Sequence, residues 1–230
     1  MKLAIMQPYF FPYIGYFQLI NAVDIFIFYD DVEFIKNGWI NRNRIIVNNN
    51  ISYVTIHLKE ASSFKLIKDI EFIDNRKKIL KSIFFAYKKA PYFNDVFPVV
   101  EKCLNIDASL ISDLSISSIK STSEYLGINT AFKISSKSFA DSAWMNKSDR
   151  LIDICRKNNA EEYINPEGGK EIYNKGYFKR NNITLNFIKP VIEKYSTEHY
   201  RFHPYLSIID VLMYNSKEDV KQMLNNYELL

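Results

Sequence analysis

The chain has 230 residues, a formal charge of +4 and two cysteines, which fits one large domain or two small ones with a real core. Hydrophobic residues at 47% against 24% charged exclude wholesale disorder, and the small positive excess falls short of a nucleic-acid footprint. Cys103 and Cys155 each stand alone in a helical pattern without CxxC spacing, which excludes a disulfide framework or a cysteine zinc site and points to a reducing compartment. No apolar window reaches the ~18 residues of a membrane span, and the apolar stretch after Met1 is too short for a signal peptide. The expected location is therefore cytoplasmic. Aromatic residues are abundant, with 17 Phe and 16 Tyr, whereas glycines number six.

Leu3 to Met6 is a short apolar run stopped by Gln7-Pro8, a buried strand. Ile14, Phe17, Leu19 and Ile20 suit a short helix, and Asp24 to Tyr29 forms a second strand closed by Asp30-Asp31. Strand, helix and strand at this spacing predict a βαβ unit with parallel strands. Arg44–Val47 and Ser52–Leu58 flank Asn48-Asn49-Asn50 as a hairpin with turn-prone asparagines, and Lys68–Ile73 is a further strand. Helices follow over Asn75–Lys89, from Pro91 through Leu104, and over Ser109–Leu126 with Gly127 as its stop. Thr130–Ile134 reads as a strand, Ser148–Asn158 as a helix and Glu162–Asn165 as a strand. A helix after Gly168-Gly169, a last strand over Ile183–Ile188, and helices over Ser207–Tyr214 and Lys217–Tyr227 complete the chain. The expected fold is a single α/β domain over residues 1–230. It has a mostly parallel, Rossmann-like sheet, a helical insertion at about 75–127 and a small antiparallel hairpin.

Ligands of open α/β sheets bind at the carboxyl ends of the strands, so the segments leaving the strands hold the candidates. The first loop runs from Gln7 through Tyr9 to Gly15, where the missing side chain admits a backbone or ligand close to the helix start. Its rings equally suit a plug over the sheet edge. Asp30 and Asp31 end the second strand, as ribose or phosphate partners or as the base of a reaction, though paired acids also simply terminate strands. Lys36, Trp39, Asn41, Arg42, Asn43 and Arg44 form the densest polar cluster, with cations for phosphate or carboxylate and an indole for stacking. Gly168-Gly169-Lys170 offers an anion-binding turn or simply a tight strand-to-helix connection, and its spacing is not that of a Walker A loop.

His199 and His203 precede Pro204 without an HExxH context, so no metal site is expected. One of them, near Tyr195 and Arg201, is a candidate general base. Ser207 reads as a helix N-cap with Asp210 in the capping-box position, and the same two residues are candidates to line a site.

Taken in order, these motifs resemble the WbqC-like family. The matching residues are Met6 to Phe17, Asp24 through Val32, Lys36-x-x-Trp39-x-Asn41-Arg42-Asn43, Asp149-Arg150-Leu151, Tyr163 with Gly168-Gly169-Lys170, Tyr173, and Phe202 through Asp210. The resemblance implies a bacterial surface-polysaccharide (O-antigen) role, with transfer of an acyl or aminoacyl group to the amine of a nucleotide-linked amino sugar. The nucleotide sugar is then substrate, an acyl or aminoacyl compound the donor, and no resident cofactor is assigned. Protein partners are other copies of the chain or enzymes of the same pathway. On this reading Asp30, Asp31 and His203 are catalytic candidates. Gln7, Tyr9, Gly15, Lys36, Trp39, Asn41, Arg42, Asn43, Gly168, Gly169, Lys170, Ser207 and Asp210 contact substrate. Members of the family often carry His-Gln-Pro where this chain has Met6-Gln7-Pro8, so no catalysis is assigned to Met6. The first loop is also distantly similar to that of nucleotidylyltransferases, with Gly15-Tyr16 where those have Gly-His. This keeps an ATP-dependent nucleotidylyltransferase or ligase as an alternative, beside a non-catalytic binding protein of the same pathway.

Overall fold

Lys2–Met6 forms the first strand, β1, with Ala4 on one face and Leu3 and Ile5 on the other, all buried. This is the alternation of a strand covered on both sides. The chain turns through residues 7–13 into α1 (Ile14–Asn21) and returns as β2 (Ile25–Phe28), parallel to β1, with Leu3 opposite Ile25 and Met6 opposite Phe28. The structure, a computed structural model, describes residues 1–197 and 200–230.

The hairpin pairs β3 (Arg42–Val47) with β4 (Asn50–Thr55). Asn48 and Asn49 both adopt positive φ, 49° and 65°, as the two-residue turn that matches strand twist requires. The strand expected over Ser52–Leu58 is broken at Ile56, whose amide turns to the Asn41 carbonyl at 2.8 Å. His57–Leu58 is a separate strand, β5, paired with β6 (Phe72–Ile73). The strand expected from Lys68 begins instead as a 3-10 turn at Ile67–Asp69, because the Ile67 and Lys68 amides are drawn to the Val32 and Asp30 carbonyls.

Three amphipathic helices follow: α2 (Arg76–Tyr87), α3 (Phe93–Leu104) and α4 (Ile111–Leu126). Gly127 ends α4 at φ 73°, the left-handed cap that glycine adopts without strain. Then come β7 (Ala131–Ile134), the single-turn α5 (Ser135–Ser138), α6 (Lys147–Lys157), β8 (Glu162–Pro166), α7 (Lys175–Arg180) and β9 (Thr184–Pro190). The helix expected after Gly168-Gly169 is α7, which a 3-10 turn over Glu167–Glu171 precedes. After α8 (Ile208–Tyr214), the last helix α9 stops at Met223 (Lys217–Met223) rather than reaching Tyr227. Tyr227–Leu229 becomes β10, which satisfies the exposed edge of β9.

The fold is α/β, with a six-stranded sheet in the order β10-β9-β8-β1-β2-β7, parallel except for β10. One core packs α1, α4 and α8 against Ala4, Phe26, Phe28 and Ile188; the other packs α6 and α7 against Leu3, Ile27, Tyr163 and Phe187. From β1 the chain proceeds to β2 and β7 on one side, then returns to β8 and β9 on the other. The strand order therefore reverses between β1 and β8, which opens a crevice beyond their carboxyl ends.

Candidate functional site

Two adjoining cavities, of about 440 and 260 Å³, occupy that crevice and share Tyr9, Tyr13, Trp39 and Tyr205 as walls. The larger is floored by Met6 at the end of β1, Pro166 to Gly168 at the end of β8, Ile188 to Pro190 at the end of β9, and Gly15 in the first turn of α1. The smaller adds Pro12, Asn43 and Arg44. A Cβ on Gly15 would lie 2.4 Å from the Tyr13 ring, so glycine lets that ring pack directly on the helix start.

The first loop is held from behind. Phe10 and Phe11 are buried, and Phe11 is held at φ 40°, a costly conformation for a residue with a side chain. Four partners fix it. The Phe11 amide donates to Ser118 Oγ at 3.0 Å; its carbonyl accepts from Asn43 Nδ2 and Ser207 Oγ, both at 2.8 Å; and the Phe10 amide donates to the Trp39 carbonyl at 2.9 Å. Ser115 on α4 donates to the Ile40 carbonyl at 2.7 Å. The small hydroxyls of α4 thus dock both segments that carry the rings. Gln7 contributes its carbonyl, which accepts from the buried Tyr16 hydroxyl at 2.8 Å.

Trp39 lies in a ladder of rings and cations. Its ring stacks on Tyr53 with 6.4 Å between centroids and 21° between planes. The Arg44 guanidinium lies over Trp39 at 5.3 Å, and that of Arg42 over Tyr53 at 4.9 Å. Arg42 donates to the Asn37 and Gly38 carbonyls, so it braces the loop and does not face the cavity. Arg44 donates to the Tyr205 carbonyl at 2.9 Å, and its buried Nε has no partner among the described residues. Burial raises the Tyr9 phenol and pushes the Tyr13 phenol up to about 12, so both stay protonated and available as donors. Glu167 and Lys189 also border the larger cavity. The site thus offers aromatic faces, phenol donors, a guanidinium and a carboxylate beside a helix start, a set that can bind a ring bearing anionic groups.

Asp30 and Asp31 lie elsewhere, buried at the ends of β2 and β7. Asp30 accepts from Ser135 Oγ, the Ser136 amide and Ser136 Oγ, at 3.0, 3.0 and 2.7 Å, and so caps α5. Asp31 accepts from Ser135 Oγ and from Arg150 Nη2, both at 2.5 Å, and Arg150 lies 4.8 Å over the Tyr29 ring. Burial raises the Tyr29 phenol, and the neighbouring Arg150 opposes that rise.

Of the other residues read from the sequence, Asn41 donates to the Ile56 carbonyl at 2.8 Å, and Lys36 is exposed away from the cavities. Gly168 and Gly169 part company: Gly168 borders the cavity, whereas Gly169 is buried where a Cβ would come within 2.0 Å of Asn165 Oδ1. Lys170 pairs with Glu167 at 3.1 Å on the surface. Ser207 caps α8 as expected, accepting from the Ile209 amide. The capping-box expectation for Asp210 fails: its buried carboxylate instead accepts from the hydroxyls of Tyr87, Tyr195 and Tyr200 at 2.7, 2.5 and 2.7 Å. Burial raises the Asp210 carboxyl above the usual range, against the opposing effect of the three phenols and His203. His203 borders a separate void of only about 10 Å³ beside Tyr195 and Phe202, and His199 lies outside the described residues.

Four lining residues stand outside the set read from the sequence as substrate contacts: Tyr13, Tyr205 and Glu167 lie in or beside the motif segments but carry no chemistry of their own there, and Lys189 lies outside them. Among the described residues, no group of three or more His, Cys, Asp or Glu side chains is placed to hold a metal ion. No described helix is long and apolar enough to cross a membrane. Cys103 and Cys155 are buried free thiols, pushed up to about 11 and about 12 by burial.

The chain is similar to the uncharacterized protein Rv1507c of Mycobacterium tuberculosis, with 29% identity over 220 residues and 92% of each chain covered. The family model for WbqC-like proteins matches residues 7–222, from the first loop to α9. The match takes in every element that builds the cleft after β1, and the chain belongs to the WbqC-like protein family.

Proposed function

We propose that this protein binds a nucleotide-linked amino sugar in the cleft between β1 and β8 and transfers an acyl or aminoacyl group to its amine. The observation that carries this reading is the ring-walled crevice at the strand-order reversal, where Tyr9, Tyr13, Trp39 and Tyr205 surround a space beside the first turn of α1. Base or sugar packs against Trp39 where the indole borders both cavities, and Tyr53 and Arg44 hold the indole in place. Arg44 faces the diphosphate or the carboxylate of the donor.

Acyl transfer forms the amide bond as the bond between the activated donor's acyl carbon and its leaving group breaks, and it needs a positioned deprotonated amine, a base for the proton the amine loses and a donor for the developing oxyanion. Asp30 and Asp31 are engaged with Ser135, Ser136 and Arg150, away from the cleft. Glu167 is the one carboxylate bordering the cleft among the described residues, and it takes the role of base. The protonated phenols of Tyr9 and Tyr13 supply oxyanion donors.

The test is a mass-spectrometric assay of UDP- and dTDP-linked amino sugars with acyl and aminoacyl donors, run on wild type and Glu167→Gln. An N-acylated product that the variant makes at least ~100-fold more slowly supports the reading. Saturable sugar-nucleotide binding without any product would reassign the protein as a binding component of the same pathway. Consumption of ATP with release of diphosphate would move it to the ligase class.

A further inference from the structure

The second helix carries a feature that the cleft does not use. Residues 75–94 hold six of the chain's 30 basic residues and none of its 26 acidic ones, so the remaining 210 residues carry 24 basic and 26 acidic. The positive excess of the whole chain is therefore concentrated in one stretch. Arg76 is taken by Asp74 at 2.9 Å. Among the described residues, no carboxylate lies within 4 Å of the ammonium groups of Lys77, Lys78, Lys81, Lys88 or Lys89.

The helical period sets these lysines together. Ile79, Ile83 and Tyr87 face the core, which leaves Lys77, Lys81, Phe84, Phe85 and Lys88 along the outer face of α2. Phe85 is 57% exposed and Phe84 37%, with lysines before and after them. Phe84 belongs to an aromatic cluster with Phe93 and Phe97, with centroids 5.6 Å away. Beside Phe85, a groove of about 450 Å³ runs between α2 and the β3–β4 hairpin, with Val47 and Tyr53 on one wall and Lys78 and Lys81 on the other.

We propose that the outer face of α2 docks this protein on the surface of an anionic lipid bilayer. Clustered lysines attract an anionic headgroup layer, and exposed phenylalanines between them enter the boundary between headgroups and acyl chains. Charge complementarity selects an acidic occupant, and the two exposed rings favour a surface with an apolar layer beneath the charge over a purely acidic polypeptide. Docking leaves the cleft open, because none of the lysines or Phe85 borders it.

Vesicle co-sedimentation tests this with two lipid compositions, phosphatidylcholine alone and phosphatidylcholine with about one-third phosphatidylglycerol, at roughly 0.1 M salt. The protein is expected to pellet with the anionic vesicles only, and to be released at about 1 M salt. The triple variant Lys77→Gln/Lys81→Gln/Lys88→Gln should bind roughly a hundredfold more weakly. Phe85→Ser, an exposed substitution that keeps every charge, should bind several-fold more weakly. Both variants should melt like wild type, because the altered side chains lie outside the core. Failure to pellet with phosphatidylglycerol vesicles, or undiminished binding by the triple variant, would overturn the proposal. So would a concentration-dependent dimer that Phe85→Ser returns to monomer, or retention on polyglutamate beads without vesicle binding.

Discussion

Two polar regions sit at the same end of the sheet and are built in opposite ways. At the ends of β2 and β7, Asp30, Asp31, Ser135, Ser136 and Arg150 close on one another, and the Arg150–Asp31 side chains are only 3% and 4% exposed. At the ends of β1, β8 and β9, rings surround open space; the Nε atoms of Arg44 here and of Arg150 in the first region both lack a hydrogen-bond partner among the described residues. The first region closes its charges on one another; the second leaves a cavity between its side chains. The contrast shows why a dense run of charged residues is a poor guide to a ligand. Buried charges have to be paired, and a charge paired in burial has little left to offer a substrate, unlike the half-exposed Glu167 with its surface partner Lys170.

The largest expected effect tests the closed region. Arg150→Met leaves the Asp31 carboxylate buried without its cation and should cost about 3–5 kcal/mol in denaturant unfolding. A loss under about 1 kcal/mol would mean that the pair is not a structural joint, and would return Asp31 to the list of bases. The open region should respond in the other way. Trp39→Ala should cost only about 1 kcal/mol in unfolding, for the lost contacts with Tyr53 and Arg44, while weakening sugar-nucleotide binding about 10- to 100-fold by calorimetry, as expected for the loss of one stacking face.

The neighbouring glycines sharpen the same contrast within two residues. Gly169→Ala drives a Cβ into Asn165 and should cost about 1–3 kcal/mol. Gly168→Ala meets nothing within 4 Å, so stability should stay within ~0.5 kcal/mol, and any effect should appear in ligand affinity.

A smaller effect is a pH dependence. Burial raises the Asp210 carboxyl in the folded protein, so the folded state holds that proton more tightly than the unfolded chain does. Its contribution is full below the unfolded value near pH 4 and is lost as pH rises through the folded value. Melting temperatures of wild type relative to Asp210→Asn should therefore fall as pH rises above about 4; a rise would reverse the assignment. Lys170→Ala removes only the exposed pair with Glu167 and should change stability by less than about 0.5 kcal/mol.

Much of the fold was legible because it rests on local patterns. The apolar runs of β1 and β2, the asparagine turn at 48–49 and the Gly127 stop each encode their own geometry. What escaped was non-local. β10 is three residues long and exists because β9 offers an edge, and Asp210 looks like a capping residue until Tyr87, Tyr195 and Tyr200 converge on it. The cleft divides in the same way. Tyr9, Gly15 and Trp39 announced themselves by residue type in a loop, whereas Glu167, Lys189 and Tyr205 reach it only through the topology that sets β8 and β9 beside β1.

The central claim is that ligand stacks on Trp39, and the indole itself can report it. The chain has two tryptophans, and Trp144 is 81% exposed and borders neither cavity, so Trp144→Phe leaves Trp39 as the sole indole. Titrating this variant with UDP- and dTDP-linked amino sugars should quench its fluorescence saturably, with a midpoint equal to the calorimetric Kd. Calorimetric binding that leaves the Trp39 emission unchanged would place the ligand elsewhere and contradict the account.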